Sequence, residues 1–319
     1  MARLFTLLAA VLLSSCGAPA TPPQPPPLPE VDAPGPIYKA TPGGISEEQA
    51  KLLNARPYRF RQPKGYDAAR PAPLVLLLHG YGASGKLQDS YFRLSELAEA
   101  KTFLLATPDG TPDPDTFRFW NATDACCNFF ESKVDDVAYL NAIVDDVSAK
   151  FSVDKKRIFA IGHSNGGFMA HRLACDSAAR FAAVVSFAGA VFKEPGKCNP
   201  SSPVAVLQVH GDQDAVIRYA GGSNSTHGQR FPEYPAAKDT VAFWAKANGC
   251  AETPAEVGPP LTLLGNSSFA DTSISRHPGC KEGGAAELWT IRGGAHAPLP
   301  LSTRWAELLY SFCEAHPRP

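Results

Sequence analysis

Ser164 stands between two glycines in Gly162-His163-Ser164-Asn165-Gly166, the spacing G-x-S-x-G. The stretch before it, Lys156 to Ile161, reads as a buried strand, and the stretch after it, Gly167 to Ala174, as a helix. A serine on so tight a strand-to-helix corner is pushed out of the sheet, and the glycines give the backbone room to turn. A hydroxyl is a weak nucleophile until a base takes its proton. His296 can be that base, from the glycine-rich stretch Arg292-Gly293-Gly294-Ala295-His296. An imidazole in that role needs a carboxylate to hold its tautomer and stabilise its charged form. His210-Gly211-Asp212-Gln213-Asp214 offers two. The glycine turn His79-Gly80-Tyr81-Gly82 can aim an N–H near Tyr81 at a developing oxyanion, with the N–H of Asn165 as second donor. His79 itself reads as a brace for that turn. The chemistry these residues suit is attack of Ser164 on a carbonyl carbon.

Each group follows a segment that reads as a strand. Leu74 to Leu78 is a continuous apolar run between Pro73 and Gly80, as expected of a central strand covered on both faces. Phe103 to Thr107, Ala182 to Phe187, Val204 to Val209 and Glu287 to Ile291 read as further strands, and Arg56 to Arg61 as an edge strand. Helical spacing appears over Ser90 to Lys101, Val134 to Phe151, Lys238 to Ala247 and Leu301 to Cys313. Strands alternating with helices predict an α/β fold, a mostly parallel sheet with helices on both faces. Ligands in such sheets sit beyond the C-terminal strand ends. The chain order serine, aspartate, histidine is the order of the α/β-hydrolase fold. Thr111 to Ser132 is irregular and aromatic; there Phe119 and Trp120 line an acyl pocket or else cap the core. Asp135 and Asp136 suit the N-terminus of the following helix. His171 falls on the helix after Ser164, His163 fills the variable corner position, and His227, His277 and His316 read as solvated.

The ends of the chain carry a different message. Arg3 and an apolar run from Leu4 to Leu13 form a secretory signal too short to span a bilayer. It ends in Leu13-Ser14-Ser15-Cys16, which resembles a bacterial lipoprotein cleavage box with Cys16 as the lipidated residue. Residues 1–15 are thus expected to be the signal peptide, and 16–40 a lipid anchor with a proline-rich, polyproline-II-like tether. Residues 41–319 form the catalytic domain. Location outside the cytoplasm follows: lipid-anchored to a bacterial envelope, at the outer membrane, or secreted. Charge is balanced, 30 basic against 31 acidic residues in 319, with no basic tract to attract nucleic acid. Seven cysteines follow Cys16, and export lets disulfides persist. Cys250 and Cys280 flank a loop-rich stretch that a bridge would staple, and Cys175 and Cys198 are expected to pair similarly. The adjacent Cys126 and Cys127 are not expected to bond to each other; one of them is expected to reach Cys313. No spacing suggests a metal site.

From about Tyr58 to Phe312 the chain resembles the polyhydroxybutyrate depolymerase-like esterases, which include microbial feruloyl and acetylxylan esterases. The resemblance rests on Pro73-Leu74-Val75-Leu76-Leu77-Leu78-His79-Gly80, Phe119-Trp120-Asn121 with Cys126-Cys127, Val134-Asp135-Asp136-Val137, the Ser164 corner with Gly167, the His210 to Asp214 stretch, and Trp289-Thr290-Ile291 before His296. It implies Asp214 as the acid and His296 as the base of a Ser-His-Asp triad, and an ester substrate with no cofactor. The family's aromatic and proline soon after the histidine are replaced here by Ala297-Pro298, which removes an expected aromatic wall. The expected activity is hydrolysis of feruloyl-, acetyl- or short acyl-type esters. A hydroxyalkanoate depolymerase and a non-catalytic glycan-binding surface lipoprotein are the alternatives.

Overall fold

The computed structural model describes residues 36–38, 44–226 and 229–319. Cys16, the signal segment and nearly all of the proline tract lie outside the described residues, as does His227.

The main sheet has ten strands. In chain order its first strands are β1 (Ile37–Tyr38), β2 (Tyr58–Arg61), β3 (Ala72–Leu78) and β4 (Leu104–Thr107). β5 (Thr111–Pro112) and β6 (Arg118–Phe119) form a separate small ribbon. The sheet continues with β7 (Val153–His163), β8 (Ala183–Phe187) and β9 (Ala205–Gly211). β10 (Gly222–Thr226) and β11 (Gln229–Tyr234) make a hairpin outside it. β12 (Ala255–Glu256), β13 (Thr272–Arg276) and β14 (Ala285–Ile291) complete it. The order across the sheet is β1-β2-β4-β3-β7-β8-β9-β14-β13-β12. Strands β4 through β14 in that order run parallel, and the flanking strands are antiparallel.

Alternation along the central strands splits the interior in two. Leu74, Leu76 and Leu78 of β3 face one cluster, with α1 (Glu47–Ala55), α4 (Asp136–Lys150), α5 (Asn165–Asp176) and α6 (Ala237–Ala247). Val75 and Leu77 face the other, with α2 (Gly85–Phe92), α3 (Leu94–Lys101) and α7 (Trp305–Glu314). Successive side chains on a strand point to opposite faces, so the uninterrupted apolar run Leu74 to Leu78 in β3 serves both layers at once. This is the α/β-hydrolase architecture expected from the sequence.

Several elements depart from expectation. The helix read over Ser90 to Lys101 is two helices. Arg93 is left-handed, with φ 59°, and its N–H closes α2 on the Asp89 carbonyl at 2.6 Å. The Asp89 carboxylate then caps α3 by accepting the N–H of Ser95 at 2.9 Å. β2 is not the edge, because β1 pairs outside it. The β10–β11 hairpin and the antiparallel pair β12–β13 occupy segments without a strand reading. Disulfides join Cys175 to Cys198 and Cys250 to Cys280. Cys126 and Cys127 are joined to each other, against the expectation that one reaches Cys313. Cys313 is buried on the inner face of α7, on the opposite side of the sheet from the pair.

Candidate active site

Ser164 sits at the C-terminal end of β7 with φ 55° and ψ −122°, a conformation that costs a non-glycine residue energy and persists only when its surroundings enforce it. They do so by close packing. A Cβ on Gly162 would lie 2.0 Å from the Gly166 carbonyl oxygen, and one on Gly166 would lie 2.2 Å from the Leu78 carbonyl oxygen. The Ser164 N–H donates to the Phe187 carbonyl on β8 at 2.8 Å. The residue is held at the C-terminal end of the sheet, 8% exposed.

The loops after β9 and β14 bring the partners. Asp214 Oδ2 lies 2.8 Å from His296 Nδ1, and His296 Nε2 lies 2.9 Å from Ser164 Oγ. A carboxylate only accepts, so Nδ1 carries the proton and Nε2 is free to accept from the serine hydroxyl. Burial disfavours charge on Asp214. Hydrogen bonds from His210 and His296 and the N–H of Val216 outweigh it and hold the carboxyl well below the usual carboxylate range. Asp212 does different work: its Oδ1 accepts the N–H of Gly293 at 2.7 Å, pinning the loop that leads to His296.

On the other side of Ser164 lies the turn after β3. A Cβ on Gly80 would sit 3.3 Å from the Ser164 Cβ, so the backbone leading into Tyr81 passes directly beside the serine. His79 braces this turn: Nδ1–H donates to the Gly80 carbonyl at 2.7 Å, and Nε2 accepts the N–H of Gly110 at 2.8 Å. Burial lowers the His79 pKa to about 4, so the ring is a neutral strut. The Tyr81 hydroxyl donates to Asp113 at 2.6 Å. Asn165 opens α5, where the first N–H groups lack helical partners. Its side chain clamps Trp120 at both backbone atoms, accepting its N–H at 2.6 Å and donating to its carbonyl at 3.0 Å.

Phe119 and Trp120 offer no wall to a substrate. They are 2% and 0% exposed, and the Trp120 indole donates to the His79 carbonyl at 3.0 Å beneath the turn. The aromatic surface is built by their neighbours. Tyr81 contacts Phe117 and Phe129 at ring distances of 5.6 and 5.0 Å, and Phe129 contacts Phe231 of the β10–β11 hairpin at 4.9 Å. Phe117 is 49% exposed. Cavities of about 790 and 730 Å³ elsewhere on the molecule include none of Ser164, Asp214 and His296, so geometry and not cavity size singles out this site.

One residue beside the base was not legible as part of the site. His163 is buried, and its Nε2–H donates to the His296 carbonyl at 2.9 Å. Burial, with His296 adjacent, lowers its pKa to about 3. His277, read as solvated, is buried, with Nδ1 against the Ala251 carbonyl at 2.8 Å. Asp135 caps α4 through the N–H of Ala138, while Asp136 is buried and pairs with Arg56 at 2.7 Å. Among the described residues, no group of three or more His, Cys, Asp or Glu is gathered to hold a metal ion.

The profile of the phospholipase/carboxylesterase family matches residues 66–229. Feruloyl esterase B of Piromyces equi is 31% identical over 238 residues, 74% of this chain but only 41% of that protein's length. A protein of Nocardia uniformis subsp. tsuyamanensis assigned as an esterase, NocK, is 30% identical over 312 residues, 91% of this chain and 88% of that one. Among solved structures, the acetyl xylan esterase from Aspergillus awamori superposes with a TM-score of 0.55 over 80% of this chain and 94% of that one, at 13% identity. At that identity the likeness is one of fold.

Proposed function

This chain belongs to the phospholipase/carboxylesterase family of α/β-hydrolases, and from that premise we propose that it is an exported serine esterase acting on small feruloyl-, acetyl- or short acyl-type esters. The observation that carries the reading is the His296 ring, bonded at one nitrogen to Ser164 and at the other to Asp214. Ser164 attacks the ester carbonyl while His296 takes its proton. The N–H groups of Tyr81 and Asn165 receive the oxyanion. His296 then protonates the leaving alcohol, and a water activated by the same ring releases the acid from the acyl-enzyme. Asp214 holds the Nδ1–H tautomer throughout.

The substrate class rests on two supports. Relatives named as feruloyl esterases are 31% and 29% identical to this chain over 238 and 232 residues, and the row Phe117, Tyr81, Phe129 and Phe231 presents an aromatic surface beside the oxyanion turn, suited to a planar acyl group or a sugar face. The catalytic domain is residues 41–319. Residues 1–15 act as an export signal and Cys16 as the lipid attachment point, with the proline tract as spacer.

The test is a hydrolysis panel of p-nitrophenyl acetate and butyrate, methyl ferulate, acetylated xylan and crystalline polyhydroxybutyrate, with Ser164→Ala alongside. Turnover of the small esters, falling by about 10⁴- to 10⁶-fold in kcat in the variant, is the expected result. Ser164→Ala retaining a tenth of the activity overturns the nucleophile. Clearing of the crystalline polyester without turnover of methyl ferulate or acetylated sugars overturns the substrate class alone.

A further inference from the structure

A chain of buried polar side chains runs from α6 through α5 and β9, on one face of the sheet, to the acid of the triad. Trp244 on α6 donates its indole N–H to His171 Nδ1 at 3.0 Å. His171 on α5 meets Gln208 Oε1 through Nε2 at 2.9 Å. Gln208 on β9 donates its amide to the Gly189 carbonyl at 2.9 Å and faces His210 Nδ1 at 3.1 Å. His210 Nε2 lies 2.7 Å from the Ile217 carbonyl and 3.4 Å from Asp214 Oδ2. Trp244, His171 and Gln208 are 0% exposed and His210 is 1% exposed.

The direction of every bond is settled by groups that have no choice. An indole N–H only donates, so His171 Nδ1 accepts and its proton sits on Nε2. That proton requires the carbonyl end of the Gln208 amide, which turns the NH₂ toward Gly189 and His210. The Gly189 carbonyl only accepts and demands the same amide orientation independently. His210 Nδ1 therefore accepts, and its proton is on Nε2. The Ile217 carbonyl, again only an acceptor, agrees. α6, α5 and β9, with the loop carbonyls of Gly189 and Ile217, thus enforce one tautomer on His210, the one that points an N–H at the triad carboxylate.

We propose that His210 is a positioning residue for ester hydrolysis: its Nε2–H, shared between the Ile217 carbonyl and Asp214 Oδ2, holds the carboxylate in the rotamer that faces His296, and the Trp244–His171–Gln208 chain fixes the tautomer that makes this possible. The inference rests on the triad reading. The other carboxylate oxygen is already held, since Oδ1 accepts the N–H groups of Val216 and Ile217 at 2.8 and 2.9 Å. Without His210, the oxygen that faces the base keeps no donor but His296 among the described residues. Its orientation then depends on the base it is meant to orient.

The experiment compares His210→Leu, which removes the donor, with His210→Gln, whose amide can reach the same carbonyl and carboxylate. Losing a hydrogen bond to a charged group predicts a fall of about 10- to 100-fold in kcat for His210→Leu, with KM on p-nitrophenyl acetate unchanged. His210→Gln is expected to recover most of that loss. Nitrogen-15 correlation spectra of the wild-type protein are expected to show His210 protonated on Nε2 and bare on Nδ1. A folded His210→Leu protein with wild-type kcat overturns the proposal, as does a His210→Gln no better than His210→Leu. Should His210→Leu fail to fold, the spectrum decides: a proton on Nδ1 overturns the proposal. Ser164→Ala measured in parallel separates the two readings, because activity there sinks the triad, whereas an inactive Ser164→Ala beside a fully active His210→Leu sinks only the role of His210.

Discussion

Asp212 and Asp214 sit two positions apart and hold different atoms. Asp214 meets the His296 ring, and Asp212 meets the backbone of the loop that carries it. Asp214→Asn places an amide where a carboxylate fixes the tautomer, and kcat is expected to drop on the order of 10³- to 10⁴-fold. Asp212→Asn keeps an acceptor for Gly293 and is expected to stay within about tenfold of wild type. Steady-state kinetics on a short p-nitrophenyl ester checks both, and the reverse order would move the acid to Asp212. Ser164, Asp214 and His296 are legible in the sequence because each follows an apolar strand and sits among glycines. His171, Gln208 and Trp244 are not. They lie mid-helix or mid-strand, where a polar residue gives no sign of its partner until the elements pack.

At the scale of elements, the central parallel strands are readable because burial on both faces leaves unbroken apolar runs. The periphery is less so. The α2–α3 break depends on the left-handed Arg93 and on a carboxylate reaching forward to Ser95, a local exchange of caps that leaves helical periodicity intact. The outermost strands β12 and β13 are short, the first exposed and the second only partly buried, with too little apolar alternation to announce themselves. They are held instead by Cys250–Cys280, which closes a separation of 30 residues. The paired replacement of these cysteines by serine is expected to cost about 2–4 kcal/mol, read as a lower urea midpoint. Catalysis should persist at temperatures where the variant is folded, because the bridge joins the end of α6 to the β13–β14 turn, before β14, whereas His296 follows the far end of that strand. An unchanged midpoint would show that the bridge does not restrain this edge.

For the whole molecule, three neutral buried histidines set the acid limit. Burial lowers the pKa of His79 and His171 to about 4 and of His163 to about 3, from 6.5. Below 6.5 the unfolded chain takes up protons there that the folded chain refuses, so stability is complete above that pH and is lost as pH falls toward 4. Each contributes about 1.4 kcal/mol per pH unit in that window. Burial raises Asp89 and Asp136 instead, and these return part of the loss at the acid end. Urea midpoints are expected to fall steeply from pH 6.5 to 5, and a flat profile would refute the neutral assignment. At the N-terminus, the lipidation proposed for Cys16 predicts that the wild-type protein sediments with membranes and that Cys16→Ala does not. That same variant isolates Cys313, the free thiol among the described residues, fully enclosed on the inner face of α7 with its ionisation pushed up by burial. A disulfide reagent in solution can reach it only when α7 lifts away. The colour released per minute is then a clock for excursions of that helix, and it needs no probe beyond the protein's own sulfur.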